Sequence, residues 1–146
     1  MSLLEQVKGD TAAAMKAGDR ERVSALRMIV AALERVHKGA SPTEEDEVAV
    51  LQVERKRRLE SATAYRDAGR DELAAGEQRE AELIDEYLPE QLSDDELAAI
   101  VGDVVAETGA ASPKEMGRVM SAVMPRVQGR ADGKRVSALV KERLTA

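Results

Sequence analysis

The stretch Ser112-Pro113-Lys114-Glu115-Met116-Gly117-Arg118-Val119-Met120 runs on through Val123, Met124 and Val127 to Gly129-Arg130-Ala131-Asp132-Gly133-Lys134. It holds a helix start, a stripe, a stop and a second start. Ser112 and Glu115 have the capping-box spacing, in which a hydroxyl and a carboxylate satisfy each other's backbone N–H groups. Pro113 falls where the first helical residue needs no N–H. Met116, Val119, Met120, Val123, Met124 and Val127 recur with the 3.6-residue period of a helix face. Gly129 suits a left-handed stop, and Asp132-Gly133 suits an N-cap and first turn for the next helix. Val136, Leu139, Val140 and Leu144 form that helix's stripe.

The same grammar recurs upstream. Ser2-Leu3-Leu4-Glu5, Ser41-Pro42-Thr43-Glu44 and Ser93-Asp94-Asp95-Glu96 repeat the cap, with Pro42 again read at the first helical position. Gly18, Gly39, Gly69 and Gly109 are further candidate stops. Val23, Leu26, Val30 and Leu33 form one stripe, Leu73, Glu77, Ala81, Ile84 and Leu88 a weaker one, and Leu97, Ile100, Val101, Val104 and Val105 a dense one. These signals predict helices near 3–17, 20–38, 43–67, 71–87, 94–108, 113–128 and 133–144. No apolar/polar alternation suggests a strand. Tyr87-Leu88-Pro89-Glu90-Gln91-Leu92-Ser93 is the best break, since Pro89 disfavours a helical Leu88 and a new cap follows. The expected architecture is all-α, with an N-terminal helical bundle over 1–89 and a three-helix domain over 90–146.

Composition narrows the chemistry. The chain has 146 residues, no cysteine, no Phe, no Trp, and only Tyr65 and Tyr87 as aromatics. Its core must be aliphatic, and disulfides, thiol nucleophiles and thiolate metal sites are excluded. The start lacks a cationic flank followed by a long apolar run, and no apolar run approaches a membrane span. A soluble, cytoplasmic protein without a membrane partner is expected.

Charge is uneven. Residues 114–146 carry Lys114, Arg118, Arg126, Arg130, Lys134, Arg135, Lys141 and Arg143 against Glu115, Asp132 and Glu142, a net +5, whereas residues 1–113 carry a net −11. A cationic end on an acidic body points to a polyanionic partner or to a solvated surface with uneven charge. With so few aromatics, base stacking is unavailable, and no major-groove reading helix is signalled, so DNA is not expected. Phosphate and shape recognition of a folded RNA suits these residues better. Lys114, Arg118, Arg126, Arg130, Lys134 and Arg135 are the candidate RNA-binding side chains. Arg130 stands out because, with Ala131, it falls on a corner between two helices.

No catalytic residue, metal site or cofactor is predicted. His37, the only histidine, lies where a cationic imidazole interacts favourably with a helix C-terminus, and nothing in the sequence places a carboxylate or a nucleophile beside it. Glu44-Glu45-Asp46-Glu47 and Asp94-Asp95-Glu96 are first-turn acids that suit the helix dipole. Arg55-Lys56-Arg57-Arg58 points in four directions on a helix and reads as a solvated face. The methionines 116, 120 and 124 read as core, with a partner-binding groove as the alternative. Gly117, inside a helix, calls for either a crossing helix or the close approach of a ligand.

Arg27-Met28, Glu86-Tyr87-Leu88-Pro89-Glu90-Gln91-Leu92, Met116-Gly117-Arg118-Val119-Met120 and Gly129-Arg130-Ala131-Asp132-Gly133 together resemble the GatB/YqeY family. These bacterial proteins are similar to the helical tail of the B subunit of the aspartyl/glutamyl-tRNA amidotransferase. The resemblance spans the chain and implies a helical bundle followed by a GatB/YqeY-type three-helix domain. It makes Met116, Gly117, Met120, Gly129, Asp132 and Gly133 motif positions. It implies contact with tRNA, and amidotransferase or tRNA synthetase subunits as partners. The family label of carbon–nitrogen ligase with glutamine as amido donor is inherited, because neither the kinase cradle nor the amidase signature fits here. Three readings stay open: an accessory tRNA-binding module not catalytic alone, an amidotransferase-like enzyme, and a protein adaptor using a methionine-lined helix.

Overall fold

The computed structural model describes residues 1–39 and 41–145. Among them are seven α-helices, one short 3-10 turn and no strand, an all-α protein. The helices are α1 (Leu3–Ala17), α2 (Arg20–His37), α3 (Glu44–Asp67), α4 (Asp71–Asp85), α5 (Asp94–Thr108), α6 (Met116–Val127) and α7 (Gly133–Thr145). The chain divides into two compact units, Met1–Leu88 and Pro89–Ala146.

The helix ends follow the cap chemistry closely. Ser2 with Glu5 and Ser93 with Glu96 close as capping boxes. Gly18, Gly39, Gly69, Gly109 and Gly129 all adopt φ between 67° and 74°, the left-handed region that glycine enters without penalty. One start is displaced. Thr43, not Ser41, caps α3, and Asp46 rather than Glu44 completes its box, so Pro42 precedes the helix. A second start is tighter than expected: Pro113–Glu115 forms the 3-10 turn and α6 begins at Met116.

In the N-terminal unit α1 pairs with α2 and α3 with α4, and α2 also packs on α3. Leu3, Leu4, Val7, Leu26, Ile29, Leu33, Leu51 and Ile84 form its core. The α4 stripe departs in part from the expected one. Ala81, Ile84 and Leu88 are buried as read, but Leu73 is exposed, and Ala74 and Leu83 join the buried face. Tyr87 donates its hydroxyl to Asp10, and burial, reinforced by Asp10, pushes the phenol above its usual range.

The buried face of α3 was not visible as a stripe, because it reads Glu47, Leu51, Glu54, Arg58 and Ala62. Arg58, assigned above to a solvated face, is 6 % exposed. Its Nη1 donates to Glu54 Oε2 at 2.6 Å and to the Glu54 carbonyl at 3.2 Å, and its Nε lies 3.4 Å from Glu80 Oε2. Burial, with Glu77 nearby, pushes the Glu80 carboxyl up, while Arg58 and Arg79 pull it down less. Helices α3 and α4, which pack on each other, also bury the small alanines 62, 74 and 81. Arg55 reaches Asp85 at 2.6 Å and Lys56 is half-buried, so of the basic run only Arg57 remains mainly in solvent.

Glu47 and His37 also depart from expectation. Glu47 is 2 % exposed, and its carboxylate accepts the N–H groups of Leu3 (3.3 Å) and Leu4 (3.0 Å) at the start of α1. His37 Nε2 lies 3.0 Å from the same carboxylate. A carboxylate therefore does stand beside the histidine, but it is occupied in tying three helices together. Burial pushes Glu47 up, and the hydrogen bonds from His37, Leu4 and Leu3 outweigh it, leaving the carboxyl below its ordinary 4.5.

Candidate nucleic-acid interface

In the C-terminal unit, α5, α6 and α7 pack mutually around Leu97, Val101, Val104, Val119, Val123, Val127, Val136 and Val140, all nearly or fully buried. The valines of α6 form its innermost line. Met116, Met120 and Met124 flank that line, half-buried against the core, which favours the core reading of the methionine stripe over an open groove.

The two longest motifs turn out to be partners. Leu92 N–H donates to the Arg130 carbonyl at 2.8 Å, and Gln91 Nε2 to the Gly129 carbonyl at 2.8 Å. In return Arg130 Nε donates to the Glu90 carbonyl at 3.1 Å, and Arg135 Nη2 to the Leu92 carbonyl at 2.8 Å. Residues 90–92 are thus stitched to the α6–α7 corner. Ala131 there is 3 % exposed, and Arg130 is half-buried and faces Glu96, so the expected exposed corner is a packed one. Asp132 Oδ1 accepts the Arg135 N–H at 3.0 Å, the N-cap read from the sequence.

The charge asymmetry also changes meaning. Residues 89–113 hold Glu90, Asp94, Asp95, Glu96, Asp103 and Glu107 and no basic residue, so the unit as a whole carries −1. Two of its arginines pair with these acids. Arg135 pairs with Asp94 at 2.8 Å and Arg126 with Glu107. Arg118 donates to the Thr108 carbonyl at 2.7 Å and to Glu115 at 3.1 Å. Of the six candidate cations, Arg130, Lys114 and Lys134 have no ion-pair partner among the described residues; Arg130 is half-buried on a backbone carbonyl, and the two lysines are exposed. The lysines are not neighbours. Lys114 precedes α6 and Lys134 opens α7, and the length of α6 separates them by roughly 18 Å at 1.5 Å per residue.

The helical glycines divide into packed and open ones, and Gly9 in α1 is as open as Gly117 and Gly133. Gly102 in α5 has a packing reason, because an added Cβ would stand 3.3 Å from the Arg143 guanidinium that lies over it. Gly117 has none. Its φ is not positive, it is exposed, and an added Cβ would meet nothing within 4 Å. The crossing helix that Gly117 suggested is absent among the described residues. Gly133, the first residue of α7, is equally open. Beside Gly117, the N–H groups of Ala111 and Ser112 hold the Glu115 carboxyl below its usual range, so this helix start keeps one anion among its cations.

Among the described residues, no group of three His, Asp or Glu side chains is placed to hold a metal ion, and no helix is long and apolar enough to cross a membrane. The fold and these motifs define an all-helical protein whose three C-terminal helices are stitched to their own entry segment. The chain belongs to the Yqey-like protein family, which matches residues 4–144. That family is related to the tail domain of the amidotransferase B subunit. A search of curated proteins gives no match.

Proposed function

We propose that the protein is a cytoplasmic accessory module that binds tRNA through the starts of α6 and α7, working beside an amidotransferase or a tRNA synthetase subunit and contributing no catalysis alone. The observation that carries this reading is the open Gly117 beside the unpaired Lys114, a combination that Gly9, equally open but next to the ion-paired Lys8, lacks. Glycine in a helix interior costs roughly 0.5–1 kcal/mol relative to alanine; at Gly117, the second residue of α6, part of that cost applies, and nothing within the chain repays it. A ligand that approaches the backbone closely gives the missing Cβ a reason. Lys114 and Lys134 supply uncommitted charge for phosphates beside the two open glycines. Arg118, Arg126, Arg130 and Arg135 are bonded within the chain and take a supporting part.

The test is binding of total tRNA across a salt series. Lys114→Ala and Lys134→Ala should each weaken binding of all tRNA species alike and reduce the log–log salt slope by roughly 0.7–0.9. Arg130→Ala should act mainly by loosening the fold. Wild-type protein that binds no tRNA at low salt would end the reading. Lysine variants that bind like wild type would move the contact elsewhere.

A further inference from the structure

The resemblance motif Arg27-Met28 has no part in the C-terminal surface, and its surroundings carry an inference of their own. Arg20, Ser24, Arg27 and Met28 stand at i, i+4, i+7 and i+8 of α2 and are all exposed, so they form one stripe. The stripe contains no acid, although residues 1–88 carry 19 acidic and 14 basic side chains, a net −5. Three neighbouring cations on that unit are ion-paired, whereas Lys16, next to Met15, is exposed and has no ion pair among the described residues. Arg22 pairs with Glu86, Arg79 with Glu21 and Lys8 with Glu34. Arg20 and Arg27 have no carboxylate within 4.0 Å among the described residues.

Beside the stripe runs an open groove of about 520 Å³, lined by Met15, Gly18, Val23 and Ser24 together with both arginines. Met15 is 56 % and Met28 48 % exposed. Unbranched thioether side chains are adaptable apolar contacts. Asp19 also lines the groove, but its carboxylate is engaged in capping the Arg22 N–H at 3.1 Å. The surface therefore combines two unpaired cations, about 10.5 Å apart along the helix axis, with an apolar trough next to them.

We propose that this face of α2, with its groove, docks an acidic amphipathic helix of a partner protein. Two carboxylates placed i and i+7 on such a helix have the same 10.5 Å rise as Arg20 and Arg27. Apolar residues between them, at i+3 and i+4, meet Met15, Val23 and Met28. A nucleic acid suits the face less well. Its phosphates gain nothing from the methionines, there is no aromatic platform, and the acidic unit repels an extended polyanion.

The test uses the full-length protein and a synthetic helical peptide with glutamates at i and i+7 and leucines at i+3 and i+4. Amide chemical shifts should change along α1 and α2 alone. R20E/R27E, whose circular dichroism should match wild type because both sites are exposed, should weaken binding roughly ten- to a hundredfold. A peptide with lysines in place of the glutamates should restore affinity for R20E/R27E, which an indirect effect of the substitutions would not do. Met15→Ala should weaken binding with little change in salt dependence. Three results would overturn the proposal: no binding of the acidic peptide by wild type, indifference to R20E/R27E, or no recovery by the charge-swapped peptide. Loss of tRNA binding in R20E/R27E with peptide binding intact would also overturn it and assign the face to RNA.

Discussion

The two units reach the same secondary structure from the same aliphatic alphabet, yet they spend their charged residues differently. In Met1–Leu88 the charges go inside: Glu47, Glu54 and Arg58 are buried, and they join helices distant in sequence. In Pro89–Ala146 every buried residue is apolar, and charged groups close the outside, on carbonyls, caps and α5 acids. The difference teaches where each unit is sensitive. A buried charge is costly to strand, whereas a surface charge is cheap to lose and is free to meet a partner.

Removing the Arg58 side chain should sharpen that contrast most. Arg58→Ala breaks the short bond to Glu54, which keeps only its longer pairs with Arg35 (3.3 Å) and Arg57 (3.4 Å), and should destabilise the N-terminal unit by about 2–3 kcal/mol. Arg57→Ala, one residue away with a side chain 65 % exposed, should cost no more than about 0.5 kcal/mol. Urea unfolding of both variants measures the pair. Equal effects would return the whole basic run to the solvated face that the sequence suggested.

That misreading has a physical origin. Stripe reading finds faces by apolar residues, and it succeeded where the core is apolar: Val23, Leu26 and Leu33 in α2, Leu97, Val101 and Val104 in α5, and the valines of α6 and α7 are buried as expected, with Ile100 and Val105 half-buried beside them. On α3 the inward face is alternately charged, so its period is helical but its hydropathy is not. Nothing local marks Glu47 as the acceptor for Leu3 and Leu4, because those partners are 44 and 43 residues away. Helix ends were legible because caps and left-handed glycines are local. The C-terminal charge excess was legible as a sum but not as a surface, since its balancing acids precede residue 114 in the same folded unit. The motif glycines were legible only as a question, and openness around Gly117 appears only in three dimensions.

A smaller effect tests the buried acid in a second way. Glu47 is held below 4.5 when folded, so its contribution is fully present above the unfolded value and is lost as pH falls through the lower folded value. Glu80, pushed up by burial, has the opposite sign and gains as pH falls. Glu47→Gln should lower stability at pH 7 by about 1–2 kcal/mol, from the poorly matched N–H groups of Leu3 and Leu4. It should also flatten the acid side of the stability curve below pH 4.5. Denaturant midpoints from pH 3 to 7 check both. An unchanged acid slope would mean that the caps of the C-terminal unit, not Glu47, govern acid sensitivity.

A small gain in stability carries the largest functional consequence. Gly117→Ala adds one methyl into open space on α6. The fold should gain at most roughly 0.5–1 kcal/mol, because alanine restricts the unfolded chain and favours the helix. Measuring thermal stability and tRNA affinity on the same preparation of Gly117→Ala is therefore the most direct test. The account predicts a more stable protein that binds tRNA more weakly, since the methyl blocks close approach to the backbone. A variant that is more stable and binds tRNA as wild type does would contradict it.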